Sequence, residues 1–159
     1  MKKKRKIILI SCCSTKLNTT KEVKAEDLYI SSVFKKSLEY AKLSKPYKIF
    51  IISAKYGLLN LDEPIKTYNV TLSYVPQKNR NQNLIILSKQ EKKEWAKKVV
   101  KQLKENDIVI NNDDIEILAG QSYIKPLAPY ITKRMEPLNG IGNGARLSFL
   151  NSLIKNLQQ

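Results

Sequence analysis

Histidine is absent from all 159 residues of this chain. Its absence excludes Ser-His-Asp and Cys-His catalysis and every zinc site that contains histidine. Only two cysteines are present, and because Cys12 and Cys13 are neighbours they can neither complete a four-cysteine metal site nor link distant segments. Proton transfer must therefore use carboxylates, lysine, tyrosine, cysteine or bound water. We expect no metal ion and no cofactor.

Long apolar runs are also lacking. No run approaches the ~20 apolar residues that cross a bilayer. The apolar part of the N-terminal stretch "MKKKRKIILISCC" is about four residues long, too short for a signal peptide. Without a targeting segment or a disulfide framework, we expect a cytoplasmic protein that does not bind a membrane.

Acidic residues are scarce: 14 Asp and Glu stand against 29 Lys and Arg, which gives a net charge of +15. A field of this sign and size favours polyanions, so we expect nucleic acid or a nucleotide as the partner. The alternative is that the lysines form a solvated surface in a chain whose richness in Lys, Asn and Ile is typical of an AT-rich genome.

Hydrophobic periodicity predicts a single α/β domain over residues 7–159, preceded by a basic tail at residues 1–6. The predicted strands are residues 7–11, 48–53, 107–110 and 115–120, with another at "RMEPL". The predicted helices are Asp27 to Ser44, residues 88–106 with a Ser88–Glu91 capping box, residues 121–130, and a last helix capped by Asn143. This order predicts a three-layer fold with a mostly parallel central sheet flanked by helices. The remaining segment, residues 54–87, is long and irregular, which is typical of functional loops.

Three polar stretches follow predicted strands: "SCCSTK" after the first, "SAKYGLL" after the second and "AGQSY" after a third. In parallel sheets ligands bind beyond the carboxyl ends of the strands, so we expect these stretches to converge on one cavity. In "SCCSTK", Lys16 would stabilise a nucleophilic thiolate, and Ser14 would contact an anion. The alternative is that the cysteines are small buried hydrophobic residues.

In "SAKYGLL", Ser53 and Lys55 place a hydroxyl and an ammonium at the end of a buried strand. Lys55 could bind phosphate or, if desolvated, exchange protons, and Tyr56 could stack on a base. Gly57 permits a turn that other residues resist. The alternative is an ordinary turn at the end of a strand.

Two carboxylates, Asp27 and Glu63, are candidates for activating water. The alternatives are that Asp27 interacts with a helix dipole and that Glu63 belongs to a "DEP" turn. Near the C-terminus, Gly120 allows close backbone approach and Tyr123 is as compatible with the core as with a ligand. Gly140 opens a glycine-rich turn whose amides could hold an anion before the last helix.

Several motifs occur in order along the chain: "CSTKL", "AEDLY", "SAKYGLL", "TYNVTL", "AGQSY" and "PLNGIGNG". Together they resemble a poorly characterised bacterial and phage family over nearly the whole chain, from about Ile8 to Leu153. Family members commonly have aspartate where this chain has Asn69, which weakens any mechanism that needs a carboxylate there.

More distantly, the first motif resembles the Cys-plus-Lys signature of the core domain of archaeosine synthase, which acts on a deazaguanine base in tRNA. That domain and the related peroxide-stress DNA-binding proteins resemble the uracil-DNA glycosylase type of α/β fold. The resemblance implies a pocket for a base or nucleotide and a fold of this type.

We therefore predict an enzyme that processes a nucleobase or nucleotide within nucleic acid, by glycosylase-like cleavage of an N-glycosidic bond or by chemistry on a modified base. The predicted catalytic residues are Cys12, Asp27, Lys55 and Glu63. The predicted ligand-binding residues are Ser11, Ser14, Lys16, Tyr29, Ser53, Tyr56, Gly57, Tyr68, Gly120, Tyr123 and Gly140. The alternative is a non-catalytic DNA-binding protein of stress response or phage defence.

Overall fold

The computed structural model describes residues 4–159. The strands are β1 (Lys6–Ser11), β2 (Val23–Lys24), β3 (Lys48–Ser53), β4 (Gly57–Asn60), β5 (Pro64–Ile65), β6 (Val70–Thr71), β7 (Ile85–Ile86), β8 (Asp114–Leu118) and β9 (Arg134–Met135). The α-helices are α1 (Ala25–Leu28), α2 (Ser32–Leu43), α3 (Lys89–Glu105), α4 (Gln121–Leu127) and α5 (Arg146–Leu157), with 3₁₀ turns at Gln77–Asn79 and Asn143–Ala145. No helix in this part of the chain is long and apolar enough to span a bilayer.

A five-stranded sheet in the order β4-β3-β1-β8-β9 forms the centre of the molecule. β1 lies in the middle, where Ile7 pairs with Lys48 of β3 and with Ile115 of β8, both in parallel. Residues 7–10 are fully buried because helices cover both faces of the sheet, which explains why all four of these residues are apolar. β9 continues the parallel set, and β4 is antiparallel, so the sheet is mixed.

Helices cover the sheet in two pairs, α2 with α5 and α3 with α4. The connection from β1 through α2 runs to β3 on one side of β1, whereas the connection from β3 through α3 runs back past β1 to β8. Right-handed crossovers in opposite directions place α2 and α3 on opposite faces of the sheet. The predicted three-layer α/β architecture is thus confirmed. The chain changes direction between β1 and β8, the position at which sheets of this kind open a crevice at their carboxyl ends.

The single helix predicted from Asp27 to Ser44 is wrong: the segment forms α1 and α2, separated by residues 29–31. Tyr29 is extended (φ −89°, ψ 121°), and the Ser31 hydroxyl caps α2 by accepting a hydrogen bond from the Phe34 N–H at 3.1 Å. A serine inside an apolar periodic run can start a new helix, because its hydroxyl accepts a hydrogen bond from an amide of the first turn that has no partner within the helix.

The strand predicted at residues 107–110 is also wrong. Asp107 (φ 63°) and Asn111 (φ 68°) adopt left-handed backbone conformations that cannot belong to a strand. The segment is a turn in which the Asp113 carboxylate accepts a hydrogen bond from the Val109 N–H at 2.9 Å. At the C-terminus, Asn143 starts a 3₁₀ turn, and the last helix begins three residues later at Arg146.

The predicted boundary between tail and domain shifts by one residue, because β1 begins at Lys6. Residues 1–3 of the predicted tail lie outside the described residues. In the predicted irregular segment, β4 extends the main sheet and β5 pairs with β2, while β6 pairs with β7.

Candidate functional site

Two cavities open at the carboxyl ends of the central strands. The larger has a volume of about 480 Å³ and lies in the crevice between β1 and β8. Its walls come from the ends of these strands, from α2, and from the segment that leads into α5. The residues that line it include Ser11, Ser14, Ser31, Val33, Phe34, Asn143 and Arg146.

The smaller cavity has a volume of about 200 Å³ and lies on the other side of the segment that follows β1. Its walls come from β6 and the loop after it and from α4: Lys16, Val70, Thr71, Ser73, Val75, Leu84 and Tyr123. Cys12, Cys13 and Ser14 line both cavities, so they form a shared wall.

Cys12 is buried, with 8% of its surface exposed, and its Sγ lies 3.3 Å from the Tyr123 hydroxyl. Its backbone N–H donates to the Ile52 carbonyl at 3.0 Å, which fixes the residue against β3. Cys13 is half-buried, and its thiol donates to the Thr15 carbonyl at 3.2 Å. The two sulfur atoms thus differ in environment: Cys13 acts as a hydrogen-bond donor to the backbone, and Cys12 faces a phenol.

Lys16 brings a cation to the same wall. Its Nζ lies 4.5 Å from the centre of the Tyr68 ring and 6.0 Å from that of Tyr29. An antiparallel bridge between Lys16 and Tyr29 fixes this segment against the end of α1. Burial lowers the pKa of Lys16 below its ordinary value, while a negative charge on Cys12 would act in the opposite direction. Lys16 is therefore an ammonium that can lose its proton more easily than a surface lysine does.

Behind Cys12 lies a cluster of hydroxyl groups. The Ser53 Oγ accepts the N–H groups of Lys55 (3.2 Å) and Tyr56 (3.0 Å), and its own hydrogen is donated to the Tyr68 hydroxyl at 2.8 Å. The Tyr68 and Tyr29 hydroxyls are 2.6 Å apart. Because the Tyr68 hydroxyl accepts a hydrogen bond from Ser53, its own hydrogen is available to the Tyr29 hydroxyl or to another acceptor.

The two phenols of this cluster and the phenol of Tyr123 stay protonated. Burial raises the pKa values of Tyr29, Tyr68 and Tyr123 well above the ordinary range for tyrosine, and negative charge on Cys12 raises them further. The Tyr123 hydroxyl lies within hydrogen-bond distance of the Cys12 Sγ, at 3.3 Å. Cys12 therefore faces a neutral phenol that can donate a hydrogen bond to its sulfur.

The structure brings together residues from all three stretches that the sequence predicted to converge. Ser11, Cys12, Ser14, Lys16 and Tyr123 line the cavities. Tyr29, Ser53 and Tyr68 lie in the hydroxyl cluster. Tyr56 packs edge-on against Tyr68 with 5.5 Å between ring centres, and its hydroxyl donates to the Lys66 carbonyl, so it supports the cluster from outside.

Asp27, Lys55, Glu63 and Gly140 are among the predicted site residues that line neither cavity. Asp27 is exposed on α1, and the Glu63 carboxylate accepts the Asn60 N–H at 3.3 Å within a turn. Lys55 is exposed, with its Nζ 5.3 Å from the centre of the Tyr56 ring. Gly140 occupies an exposed turn with φ 79°. Their predicted roles stay predictions without geometric support at these cavities.

Sequence reasoning missed Arg146, the first residue of α5. Its Nε donates to the Ile141 carbonyl at 3.2 Å, which fixes the guanidinium at the wall of the larger cavity. The guanidinium lies over Gly120, where a Cβ atom would come within 3.3 Å of Nη2, so Gly120 makes room for it. Arg146 has no ion pair with any of residues 4–159. The available signal was composition, because only four of the 29 basic residues are arginine.

No carboxylate lines either cavity among residues 4–159. The same part of the chain contains no group of three or more side chains that could hold a metal ion. The groups that face the cavities are a thiol, a partly desolvated ammonium, a phenol, a guanidinium and several hydroxyls. These can bind an anion and provide a nucleophile with nearby proton donors.

The model of a protein family of unknown function, DUF6884, matches residues 7–152. No curated protein and no solved structure matches the chain.

Proposed function

The chain belongs to DUF6884, and since that family has no known function we propose one from the geometry of the cavities. The proposal is that the protein binds a nucleotide unit of nucleic acid and carries out thiol-dependent chemistry on its base. The observation that carries it is the position of Cys12, on the wall shared by two cavities and 3.3 Å from the Tyr123 hydroxyl.

The larger cavity supports a nucleotide as the ligand. Its volume of about 480 Å³ lies within the range of small-molecule sites. Arg146 offers a fixed guanidinium to a phosphate, while Val33 and Phe34 offer an apolar wall to a base. The net charge of +15 increases the rate at which a polyanion encounters the protein.

The reaction proposed is addition of the Cys12 thiolate to an electrophilic carbon of a modified base. The sulfur forms a C–S bond, the electron pair of the C=N or conjugated C=C bond moves onto the base, and the Lys16 ammonium or the Tyr123 hydroxyl supplies the proton. A substituent on the attacked carbon then leaves with that proton, water adds to the same carbon, and the Cys12 thiolate departs, so that the net change is hydrolytic replacement of the substituent. Chemistry on a modified base is favoured over hydrolysis of an N-glycosidic bond because neither Asp27 nor Glu63 lines the cavities.

The resemblance of "CSTKL" to the Cys-plus-Lys signature of the archaeosine synthase core domain supports the same class of ligand. Cys13 and Lys16 stand at the cysteine and the lysine of this motif, and both line the smaller cavity together with Cys12. A uracil-DNA glycosylase type of fold, to which the same resemblance points, is part of the proposal. Fold analogy alone does not determine a reaction.

The test is a search for altered nucleosides and released bases by liquid chromatography and mass spectrometry, after incubation with normal and modified nucleic acids. We expect Cys12→Ser to abolish product formation and to prevent any covalent adduct seen by intact-protein mass spectrometry. Cys13→Ser is the matched control, since it removes the neighbouring thiol, and it should retain at least half of the activity. Full activity in Cys12→Ser would contradict the proposed chemistry.

The second candidate is a nucleic-acid-binding protein without catalysis, which the net charge of +15 favours. A protein that binds through charge alone should lose affinity equally when any exposed lysine is removed. Lys16→Ala and Lys98→Ala separate the two candidates, because Lys16 lines a cavity and Lys98 is exposed on α3. Equal small losses of binding in both variants, together with no product from any substrate, would favour the binding protein.

A further inference from the structure

We propose that the arm, residues 72–84 between β6 and β7, binds a single strand of nucleic acid and leads it across the smaller cavity. The inference rests on the proposed function in taking the ligand of the cavities to be a nucleotide. It adds that the nucleotide is presented within a single strand rather than as a free molecule or a duplex. The partner is therefore single-stranded DNA or RNA.

The arm lies in a long stretch without acidic residues. No Asp or Glu occurs at positions 64–90, whereas Lys66, Lys78, Arg80 and Lys89 are basic. Arg80 forms no ion pair with any of residues 4–159. A phosphate backbone approaching the arm thus meets cations and no repelling carboxylate of this stretch.

The arm also exposes a flat aromatic surface. Tyr74 is 76% exposed, the largest exposed fraction among the large hydrophobic side chains in the described part of the chain. The Arg80 guanidinium lies over the ring, with Cζ 5.7 Å from its centre, and Arg80 Nε donates to the Val75 carbonyl at 2.7 Å. An aromatic ring beside a fixed guanidinium is the combination on which unpaired bases stack.

The arm is anchored beside the smaller cavity. Leu72 is fully buried, and a hydrogen bond between the Asn69 and Asn81 side chains closes the base of the arm. Val75 and Leu84 line the smaller cavity together with Cys12. A strand stacked on Tyr74 therefore runs past the wall on which Cys12 lies, and it can place an adjacent nucleotide there.

The fold contains a second pair of an exposed tyrosine and an arginine, at the amino ends of the parallel strands. Tyr47 is 52% exposed and precedes β3, and Arg5 Cζ lies 4.3 Å from the centre of its ring. Arg5 is neutralised by Asp113, with Nη2 2.9 Å from Oδ2. Tyr47, like Tyr74, is exposed and has an arginine over its ring. It lies at the amino end of β3, however, whereas the two cavities open at the carboxyl ends of the strands, and its arginine is paired with an aspartate.

The experiment measures fluorescence anisotropy of a labelled oligothymidylate and a labelled oligouridylate of about 12 nucleotides, a length within the known range of single-strand sites. A duplex of equal length is the third probe. The full-length wild-type chain is compared with Tyr74→Ala, Arg80→Gln and the control Tyr47→Ala at several salt concentrations. Thermal unfolding of each variant checks that it is folded.

We expect Tyr74→Ala to weaken binding of at least one single strand by about fivefold or more, with an unchanged salt dependence, because stacking releases no counterions. Arg80→Gln should reduce the slope of log K against log salt by about 0.7, the value for one phosphate contact on a single strand. Tyr47→Ala should bind as the wild type does.

Wild-type affinity of Tyr74→Ala for both single strands would overturn the inference. An equal loss in Tyr47→Ala would do so too, as would an equal loss of duplex affinity in Tyr74→Ala, because paired bases do not stack on the ring. Failure of the thiol chemistry is read separately, from product formation by Cys12→Ser. The arm can therefore stand or fall independently of the reaction.

Discussion

Arginine is used sparingly in this chain, at four positions against 25 lysines. Two of the four are in ion pairs within the fold: Arg5 lies 2.9 Å from Asp113 and Arg134 lies 2.8 Å from Glu136. Of the other two, Arg146 lines the larger cavity and Arg80 lies on the arm, and neither has an acidic partner among residues 4–159. Arginine presents donors in a rigid planar fork that lysine lacks, which suits phosphate and base recognition. Arginine in a lysine-rich chain thus marks positions where geometry matters more than charge.

At Arg146 this leads to a prediction about phosphate binding. Arg146→Gln should weaken binding of a nucleoside 5′-monophosphate by roughly 10- to 100-fold, the loss expected for a charge-assisted hydrogen bond. Binding of the corresponding nucleoside should change little, because only the phosphate contacts the guanidinium. Isothermal titration calorimetry with both ligands measures the difference. Lys155→Gln removes the same charge from the exposed side of α5 and should affect neither ligand. Equal losses for nucleoside and monophosphate would contradict the assignment.

At the scale of elements, α3 positions the hydroxyl cluster. The Trp95 indole N–H donates to the Ser53 carbonyl at 2.8 Å. About two turns after Trp95 on the same helix, the Gln102 side chain accepts a hydrogen bond from the Leu58 N–H at 2.8 Å and donates one to the Tyr56 carbonyl at 3.3 Å. The turn between β3 and β4 is therefore attached to α3 on both sides, and Ser53 is fixed where its hydroxyl reaches Tyr68.

The glycine in this turn should be sensitive to substitution. Gly57 has φ 76°, and a Cβ atom there would overlap the Gln102 Oε1. We expect Gly57→Ala to lower the free energy of unfolding by about 1–3 kcal/mol, from the left-handed conformation and from loss of the Gln102 contacts. Urea denaturation measures the change.

Two other glycines provide the controls for that experiment. Gly140 has φ 79°, but a Cβ atom there would have no neighbour within 4 Å, so Gly140→Ala carries the conformational cost alone. Gly144 has neither feature, and Gly144→Ala should be neutral. A loss in Gly57→Ala no larger than that in Gly140→Ala would show that the contact with Gln102 contributes nothing.

The sequence predicts the regular elements well where one physical rule decides them. The fully apolar runs of β1 and β3 can only be buried strands, and the Ser88–Glu91 capping box is formed in the structure, with hydrogen bonds of 2.9 and 3.1 Å. Prediction fails at residues 107–110, where apolar side chains occupy a turn because Asp113 pairs with Arg5 and holds the backbone. Patterns of hydrophobicity do not reveal such a long-range ion pair.

The candidate site divides in the same way. The convergence of Cys12, Ser53 and Tyr123 follows from the rule that the carboxyl ends of parallel strands meet at one edge. Whether Asp27, Glu63 or Arg146 reaches that edge depends on the paths of loops and on where helices begin, which local patterns determine poorly. The sequence thus placed the strand ends at the site and could not place the side chains of the loops.

Over the whole molecule, charge is distributed unevenly between the two ends of the parallel strands, which are called here the amino edge and the carboxyl edge of the sheet. At the amino edge, Asp113 precedes β8 and forms an ion pair with Arg5, and Asp114 is the first residue of β8. At the carboxyl edge, no carboxylate lines the cavities among the described residues. The cations at the cavities, Lys16 and Arg146, thus meet no carboxylate in the cavity walls, which favours an anionic ligand there.

The compensated amino edge should make the stability of the fold depend on acid. Burial alone would raise the pKa of Asp113, but the Arg5 guanidinium and the Val109 amide outweigh burial and hold the pKa below its usual value. A carboxyl whose pKa is lower in the folded than in the unfolded state stabilises the fold fully above the unfolded value of about 4 and loses this effect as the pH falls through the folded value. Asp113→Asn should therefore cost about 1–3 kcal/mol at pH 7, and the difference from wild type should shrink below about pH 4. Urea denaturation between neutral and acidic pH measures both, and Asp62→Asn, at an exposed position, controls for the change in net charge. A difference that stays constant down to the acid transition would mean that Asp113 does not stabilise the fold through its charge.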